Sequence, residues 1–446
     1  MKPFKYIIIL VIILISINSK INAQEIFNYR SIDNKTYNQY LNKDWKNLIK
    51  TGKKSLKNNI DFYYLQVRMG IAYYEQKKYS KAIKYFENSY YTNKNDELVQ
   101  EYLYFSYIFI GRYKDAKILA GKFNRRLKGK LNITAENPFI KALYIETKHD
   151  INEDYKQIPE LDEQIYQATV LRKSYYNLSF QHDIGERLSI FHGYSNVKTT
   201  NFIINDDINL PPSFEEKVNQ NEYYFSINAQ IFKGTNISGG FHYIHTNYNA
   251  SIPSQITPGR LGNNSLISLY NNSENSFAAS LNISKQFSIF NIMSGISFSN
   301  LNSSKQIQPI INVKIFPFDK SNIYTSTTAM YIFDENEKTN FNLPIFKQSL
   351  GIVFLKYSLF EPSISYGDMK NFTLHNSQIA NNDLDIVKEK LEALLNFGLK
   401  KGKFNIFFKY EYNIKENSFT INNIDAKANY INQAITGGIK WYFQKY

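Results

Sequence analysis

Residues 403–413 read KFNIFFKYEYN. Phe404, Ile406, Phe408, Tyr410 and Tyr412 share one parity, and Asn405, Phe407, Lys409, Glu411 and Asn413 share the other. Successive side chains of a β-strand point to opposite faces, so a strand here is almost wholly apolar on one side and mostly polar on the other. The alternation recurs at residues 223–232 (YYFSINAQIF), 277–284 (FAASLNIS) and 431–443 (INQAITGGIKWYF). In each, the second face carries Ser, Asn, Gln, Thr or charge, too polar for the buried side of a sandwich. The apolar face is therefore the covered one, and lipid can cover it.

Working outward, period-2 patterning runs from about Pro138 to the C-terminus. Short turns are expected at 183–186, 232–235, 288–291, 316–321, 356–357 and 400–403, and long polar loops at 199–220, 250–274, 367–386 and 415–430. Short turns alternating with long loops is the sidedness of an outer-membrane barrel, with its turns in the periplasm. Fourteen strands result when FIKALYIET (139–147) is taken as the first, with twelve to sixteen left open. A closed barrel pairs every backbone group, which an open sheet in hydrocarbon cannot do. It also gives the 36 tyrosines and 33 phenylalanines a place, in the lipid-facing belt and its interfacial girdles. Mean hydropathy is −0.41, and beyond residue 20 no apolar run is long enough for a membrane helix.

Residues 1–23 have the basic start, apolar stretch and small-residue end of a secretory signal peptide, with an uncleaved anchor as the alternative. The sequence contains no cysteine, which excludes a disulfide framework, thiol chemistry and a lipidated N-terminal Cys. The formal charge of +14 is unevenly placed: residues 24–136 hold 22 basic and 11 acidic residues, while 137–446 hold 28 of each. An exported chain rarely meets nucleic acid, so no nucleic-acid partner is expected.

In residues 24–136 the pattern is helical. GIAYYEQKKYSKAIKYFENSY (70–90) and YFSYIFIGRYKDAKILAGKFN (104–124) match at an offset of 34, pairing Tyr73 with Tyr107, Tyr79 with Tyr113 and Ala82 with Ala116. One period earlier Trp45 occupies the Tyr79 slot. With Gly70, Tyr73, Ala82 and Phe86 in its positions, this resembles the tetratricopeptide (TPR) repeat, and an unrelated helical bundle is the other reading. On either, these residues form the repeat core, the small ones letting helices approach and the aromatics filling the gaps. Lys46, Lys50, Lys53, Lys54, Lys57, Lys77, Lys81, Lys84, Arg112, Lys117, Arg125 and Arg126 lie mainly on the second helices and their turns. They form either a solvated face or a surface for an anionic partner.

The final WYFQKY, ending on Tyr446, resembles the C-terminal signature of bacterial outer-membrane proteins. As a whole the layout resembles families that join periplasmic TPR-like helices (24–136) to an outer-membrane β-barrel (137–446), YaiO-like proteins among them. The expected fold class is thus TPR-like α-helical repeats followed by an antiparallel transmembrane β-barrel of about 14 strands. Its expected place is the outer membrane of a Gram-negative bacterium, in contact with outer-membrane lipid, the N-terminal domain in the periplasm.

Chemistry is sparse. His242 and His245, three apart, fall on opposite faces of a strand, which argues against a shared metal. His375-Asn376-Ser377 resembles the nucleophile region of outer-membrane phospholipases without the Asn-Gly that follows there. No glycine-rich phosphate loop opens a helix; Gly437-Gly438 sits in a strand, where it relieves crowding or marks a bulge. Neither cofactor nor enzymatic activity is expected. The leading expectation is a docking module whose basic repeats hold a periplasmic protein or cell-wall polymer. The alternative is a channel or transporter for small solutes or lipids, its lumen lined by Asn228, Lys409, Glu411 and Lys440 and gated or plugged by the repeats. A lipid hydrolase is the third.

Overall fold

The structure is a computed structural model that describes residues 28–133, 138–151, 165–204, 211, 213–253, 266–335, 344–374, 376–382, 385–421 and 424–443. The expected leader at 1–23, Tyr446 and His375 lie outside them. The chain divides into two units, Met1–Ser106 and Tyr107–Tyr446, whereas the change of periodicity puts the division after Glu136.

Seven helices occur among the described residues: α1 (Tyr29–Leu41), α2 (Trp45–Lys57), α3 (Tyr63–Glu75), α4 (Tyr79–Thr92), α5 (Glu97–Phe109), α6 (Tyr113–Gly121) and α7 (Arg125–Lys130). First helices start at 29, 63 and 97 and second helices at 45, 79 and 113, so the pair repeats every 34 residues. The turn inside each pair repeats as well. Lys43, Lys77 and Gly111 are left-handed, with φ of 55°, 60° and 79°. The next amide in each case donates back to the carbonyl of Gln39, Tyr73 or Tyr107, at 2.8, 2.9 and 2.8 Å. A left-handed residue closing a helix end satisfies carbonyls that would otherwise lack donors. Asn28, Asp44 and Asn124 cap α1, α2 and α7 through their side-chain oxygens.

Within the first unit the small residues sit where side chains cross. Ala82 and Phe86 are wholly buried, Tyr73 and Tyr79 nearly so, and Tyr102 stacks on Phe86 at 5.4 Å. A Cβ built on Gly70 would lie 2.6 Å from the Phe86 ring. Gly70→Val is expected to cost about 3 kcal/mol through overpacking, seen as a helical transition that melts earlier by circular dichroism while the sheet signal stays. Tyr113, placed in the repeat core by its pairing with Tyr79, is instead 49% exposed. It lies on the last pair, and the described residues hold no fourth pair to cover it.

The strands of the second unit are β1 (Ile140–Ile151), β2 (Ile165–Ile184), β3 (Leu188–Ile204), β4 (Ser213–Phe232), β5 (Thr235–Pro253), β6 (Leu266–Phe287), β7 (Phe290–Ser299) and β8 (Gln306–Ile315). They continue as β9 (Ile323–Met330), β10 (Phe333–Asp334), β11 (Ile345–Leu355), β12 (Ser358–Met369), β13 (Thr373–Leu374), β14 (Ile379–Ala380), β15 (Ile386–Leu399), β16 (Phe404–Ile421) and β17 (Ile424–Tyr442). β10 continues β9 along β8, and β13–β14 form a separate two-stranded hairpin. The remaining fourteen strands each pair antiparallel with their chain neighbours, and β1 pairs with β17 from Ala142↔Tyr442 to Ile151↔Gln433. The sheet is therefore closed, with no spanning edge.

Parity runs as the alternation requires. On β16 Phe408 and Tyr410 face outward, and Asn405, Phe407, Glu411 and Asn413 face inward and are buried. An outward belt of Phe, Leu and Ile lies beneath a ring of tyrosines that includes Tyr176, Tyr194, Tyr223, Tyr243 and Tyr410. This is the architecture of an outer-membrane barrel. Gly438 points inward against the Phe407 ring, so it relieves crowding there. The six short turns lie together at one end, hereafter the turn end.

The opposite, loop end differs from expectation in two ways. Strands run on through stretches expected as loops: β3 to Ile204, β4 from Ser213, β16 to Ile421 and β17 from Ile424. Their outward residues there, such as Lys198, Glu215, Lys217 and Lys427, are charged, so the pairing continues above the tyrosine ring with no apolar face to mark it. Residues 370–374 and 376–382, expected outside, fold into the barrel instead.

Candidate functional site

The inward faces make a polar lumen in which charges pair among themselves. From β16, Glu411 meets Lys148 of β1 at 2.8 Å and Lys390 of β15 at 3.2 Å, and also Lys409 beside it. Glu392 of β15 meets Lys390 at 3.3 Å, Lys409 at 3.8 Å and Lys347 of β11. The Glu411 side chain is 2% exposed, and with Glu392 it makes two largely buried carboxylates that share four partly exposed lysines. Lys440 lies inward as well, its Nζ 5.1 Å from the Phe407 ring centre and 5.8 Å from that of Tyr144.

Residues 370–374 and 376–382 enter this lumen from the loop end. Phe372 anchors them in an apolar cluster with Met330, Ile345, Met369 and Val387. Thr373 bonds the Ser297 hydroxyl at 2.8 Å, and its amide donates to Gln308 at 3.0 Å. Asn376 and Ser377 form the tip with φ of 58° and 62°, a conformation that non-glycine residues hold only where surrounding contacts fix it. Those contacts are present: Asn282 and Ser238 donate to Asn376 Oδ1 at 2.7 and 3.1 Å, and Tyr224 to its carbonyl at 3.3 Å. His242 Nδ1 lies 2.8 Å from the Ser377 carbonyl, and its Nε2 is 3.3 Å from Glu222. Gly240 faces the tip, and a Cβ there would collide with the Asn376 carbonyl oxygen. Farther back, Asp385 accepts from Asn417 at 2.7 Å.

The turn end is covered by residues 109–117. Asp115, buried, accepts from Gln230 at 2.7 Å, from the Gly234 amide at 3.1 Å and from Arg112 at 2.7 Å. Lys114 donates to the carbonyl of Asn228 at 3.2 Å and to its side chain. Lys117 pairs with Asp183 at 2.9 Å, Gln286 donates to the Ile110 carbonyl at 2.8 Å, and the Ser321 amide to that of Phe109 at 3.0 Å. Four turns thereby hold one short segment. Burial, aided by the charges of Lys141 and Lys117, pushes the Lys114 ammonium down to about 8 from 10.5. Its folded pKa is depressed, so its contribution to seating grows as pH rises from about 8 to about 10.5 and is lost as pH falls through 8. Thermal stability of the intact protein is expected to rise across that window, and Lys114→Met to flatten the rise.

The four lumen candidates, Asn228, Lys409, Glu411 and Lys440, all face inward, with Asn228 taken up by Lys114. Among the basic candidates, Lys46, Lys50, Lys53, Lys54, Lys57, Lys77, Lys81, Lys84, Arg125 and Arg126 are exposed. Arg112 and Lys117 are not open to an outside partner: they are bound to Asp115 and Asp183 of the same chain. Trp45 is half-buried, and Tyr107 and Ala116 are buried. His242 is buried in the lumen while His245 lies outside against Asn275 at 2.8 Å, so the two are on opposite faces. Asp115 and the infolded tip were missed. Phe372 and Leu374, apolar residues in a stretch taken for a polar outer loop, were the available signal for the tip.

No family model and no curated relative matches the sequence. Among solved structures, the chain is similar to the Ralstonia pickettii toluene transporter TbuX, with TM-score 0.42 and 8% identity over 70% of this chain and 91% of that one. It is similar to a Pseudomonas aeruginosa FadL homologue, with TM-score 0.42 and 9% identity over 68% and 91%. A third is the Acinetobacter baumannii outer membrane protein Omp33, with TM-score 0.33 and 7% identity over 68% and 99%.

Proposed function

We propose that this protein is a gated channel of the Gram-negative outer membrane for small solutes, with its turn end and TPR-like N-terminal repeats in the periplasm. One observation carries the proposal: a polar lumen is filled at both ends by segments of the same chain, each held by a small set of contacts, polar at the turn end and polar around one apolar anchor at the loop end. A barrel closed for purely structural reasons would fill its interior with wall side chains. The channel reading makes the protein a conduit rather than an enzyme, and it replaces docking as the first reading because Arg112 and Lys117 are used inside the chain. Docking of a periplasmic protein or cell-wall polymer stays as a second reading for α2 alone. There Lys46, Lys50, Lys53 and Lys57 are exposed opposite the buried Leu48, Ile49, Gly52 and Ser55.

Conductance in planar bilayers tests the proposal. The wild-type protein is expected to be mostly closed. A variant that combines Asp115→Ala with replacement of residues 371–381 by a short Gly-Ser linker is expected to conduct steadily. No current from that doubly unlatched variant, shown to be folded by heat-modifiable migration on a gel, rejects the channel.

A further inference from the structure

We propose that the lumenal cavity between the infolded tip and the wall of β6–β9 and β11 is a binding site for a neutral polyhydroxylated solute of about disaccharide size. This names the substrate class of the channel proposed above and rests on that reading for its physiological role. The cavity measures about 460 Å³, within the range of roughly 300–1,000 Å³ typical of small-molecule sites. Its wall is made largely of hydroxyls and side-chain amides, among them Ser280, Asn282, Gln308 and Asn312. Across from them stand the rings of Phe191 and Tyr224, with centres 5.8 Å apart. Sugars present hydroxyls at their rims and slightly positive C–H groups on their faces, and the electron-rich face of an aromatic ring attracts the latter.

Two further observations select neutral polar ligands over the alternatives. The hydroxyls of Ser280 and Ser377 line the cavity, are buried and have no hydrogen-bond partner among the described residues. A hydrocarbon in the cavity would return no hydrogen bond to the polar part of its wall, whereas a polyol can. The charged heads at the rim are already engaged within the wall. Lys347 pairs with Glu392, Lys314 lies 4.2 Å over the Tyr324 ring, and Glu361 accepts from the Tyr324 hydroxyl. Among the described lining residues two ammonium groups stand against one carboxylate, so a phosphate ester reads whether that excess draws an anion.

Calorimetric titration of the full-length protein in detergent with sucrose, toluene and glucose 6-phosphate tests this. Sucrose is expected to bind, toluene not to bind, and the phosphate ester to bind no better than sucrose. Thr328→Val and Asn312→Leu are each expected to weaken sucrose by about tenfold, the loss of one hydrogen bond. Ser326→Ala, also on the cavity wall, replaces Thr328→Val if that variant fails to show heat-modifiable migration. Saturable toluene binding without sucrose binding overturns the proposal, as does unchanged sucrose affinity in the folded variants. Titration reads binding without current. A protein that conducts but ignores sucrose thus overturns this inference alone, and one that binds sucrose but never conducts overturns the channel alone.

Discussion

Gly240→Val is expected to drive the infolded tip out of the lumen. The substitution places a Cβ where the Asn376 carbonyl oxygen lies, and because the obstacle is backbone no rotamer change relieves it. Valine suits a strand, so the wall of β5 should hold its register while the tip gives way. Overpacking of this kind costs about 3 kcal/mol, which corresponds to about a hundredfold rise in the population of the withdrawn tip. The chain contains no cysteine, so a single introduced thiol can report the change. Ser377→Cys, at a position 1% exposed, should react slowly with a membrane-impermeant maleimide alone and about a hundredfold faster when combined with Gly240→Val. Equal rates would show that the tip does not depend on the space left by that glycine. Because the turn end stays latched by Asp115, Gly240→Val alone should add little current. Gly240→Val with Asp115→Ala should conduct, more than the two effects summed.

Glu411→Gln should be the most damaging single change in the lumen. It removes one carboxylate from among Lys148, Lys390 and Lys409 while preserving size. The three ammonium groups are then left to Asp150 and Glu392 alone, and removing one partner of a buried ionic network costs about 3–5 kcal/mol. The temperature of the heat-modifiability transition should fall accordingly. In the doubly unlatched background the reversal potential under a KCl gradient should shift toward anion preference, since the lumen gains one net positive charge. Unchanged melting together with unchanged selectivity would mean that these lysines are hydrated and that the network is ornamental.

Much of the barrel was legible because hydrocarbon imposes a one-sided rule on every second residue. KFNIFFKYEYN shows it fully, and FIKALYIET was worth accepting as a strand since without it one edge of β17 would go unpaired. The rule lapses where the lipid ends. Strands bearing Glu215 and Lys217 outward look like loops, because water tolerates polar groups on both faces. The 34-residue period was legible from Tyr73, Ala82 and Phe86, while α1 was not, its buried Ile32 and Thr36 standing where the next pair has Gln66 and Gly70. The gating contacts were least legible. A carboxylate such as Asp115 that latches the β4–β5 turn, or an Asn-Ser tip that lodges against a glycine, depends on residues more than a hundred positions apart, and no local pattern joins them.

The pairing of β1 with β17 also constrains how this molecule comes to exist. The first hairpins can zip as they emerge, but the opening strand must wait, its outer rim raw, until the final nineteen-residue strand has been made. A cell that produces the protein must shelter that waiting rim through transit and insertion. A truncation shaving off only the last strand would leave two sticky margins in place of one seam, so the loss of a small fraction of the polymer would cost the whole cylinder.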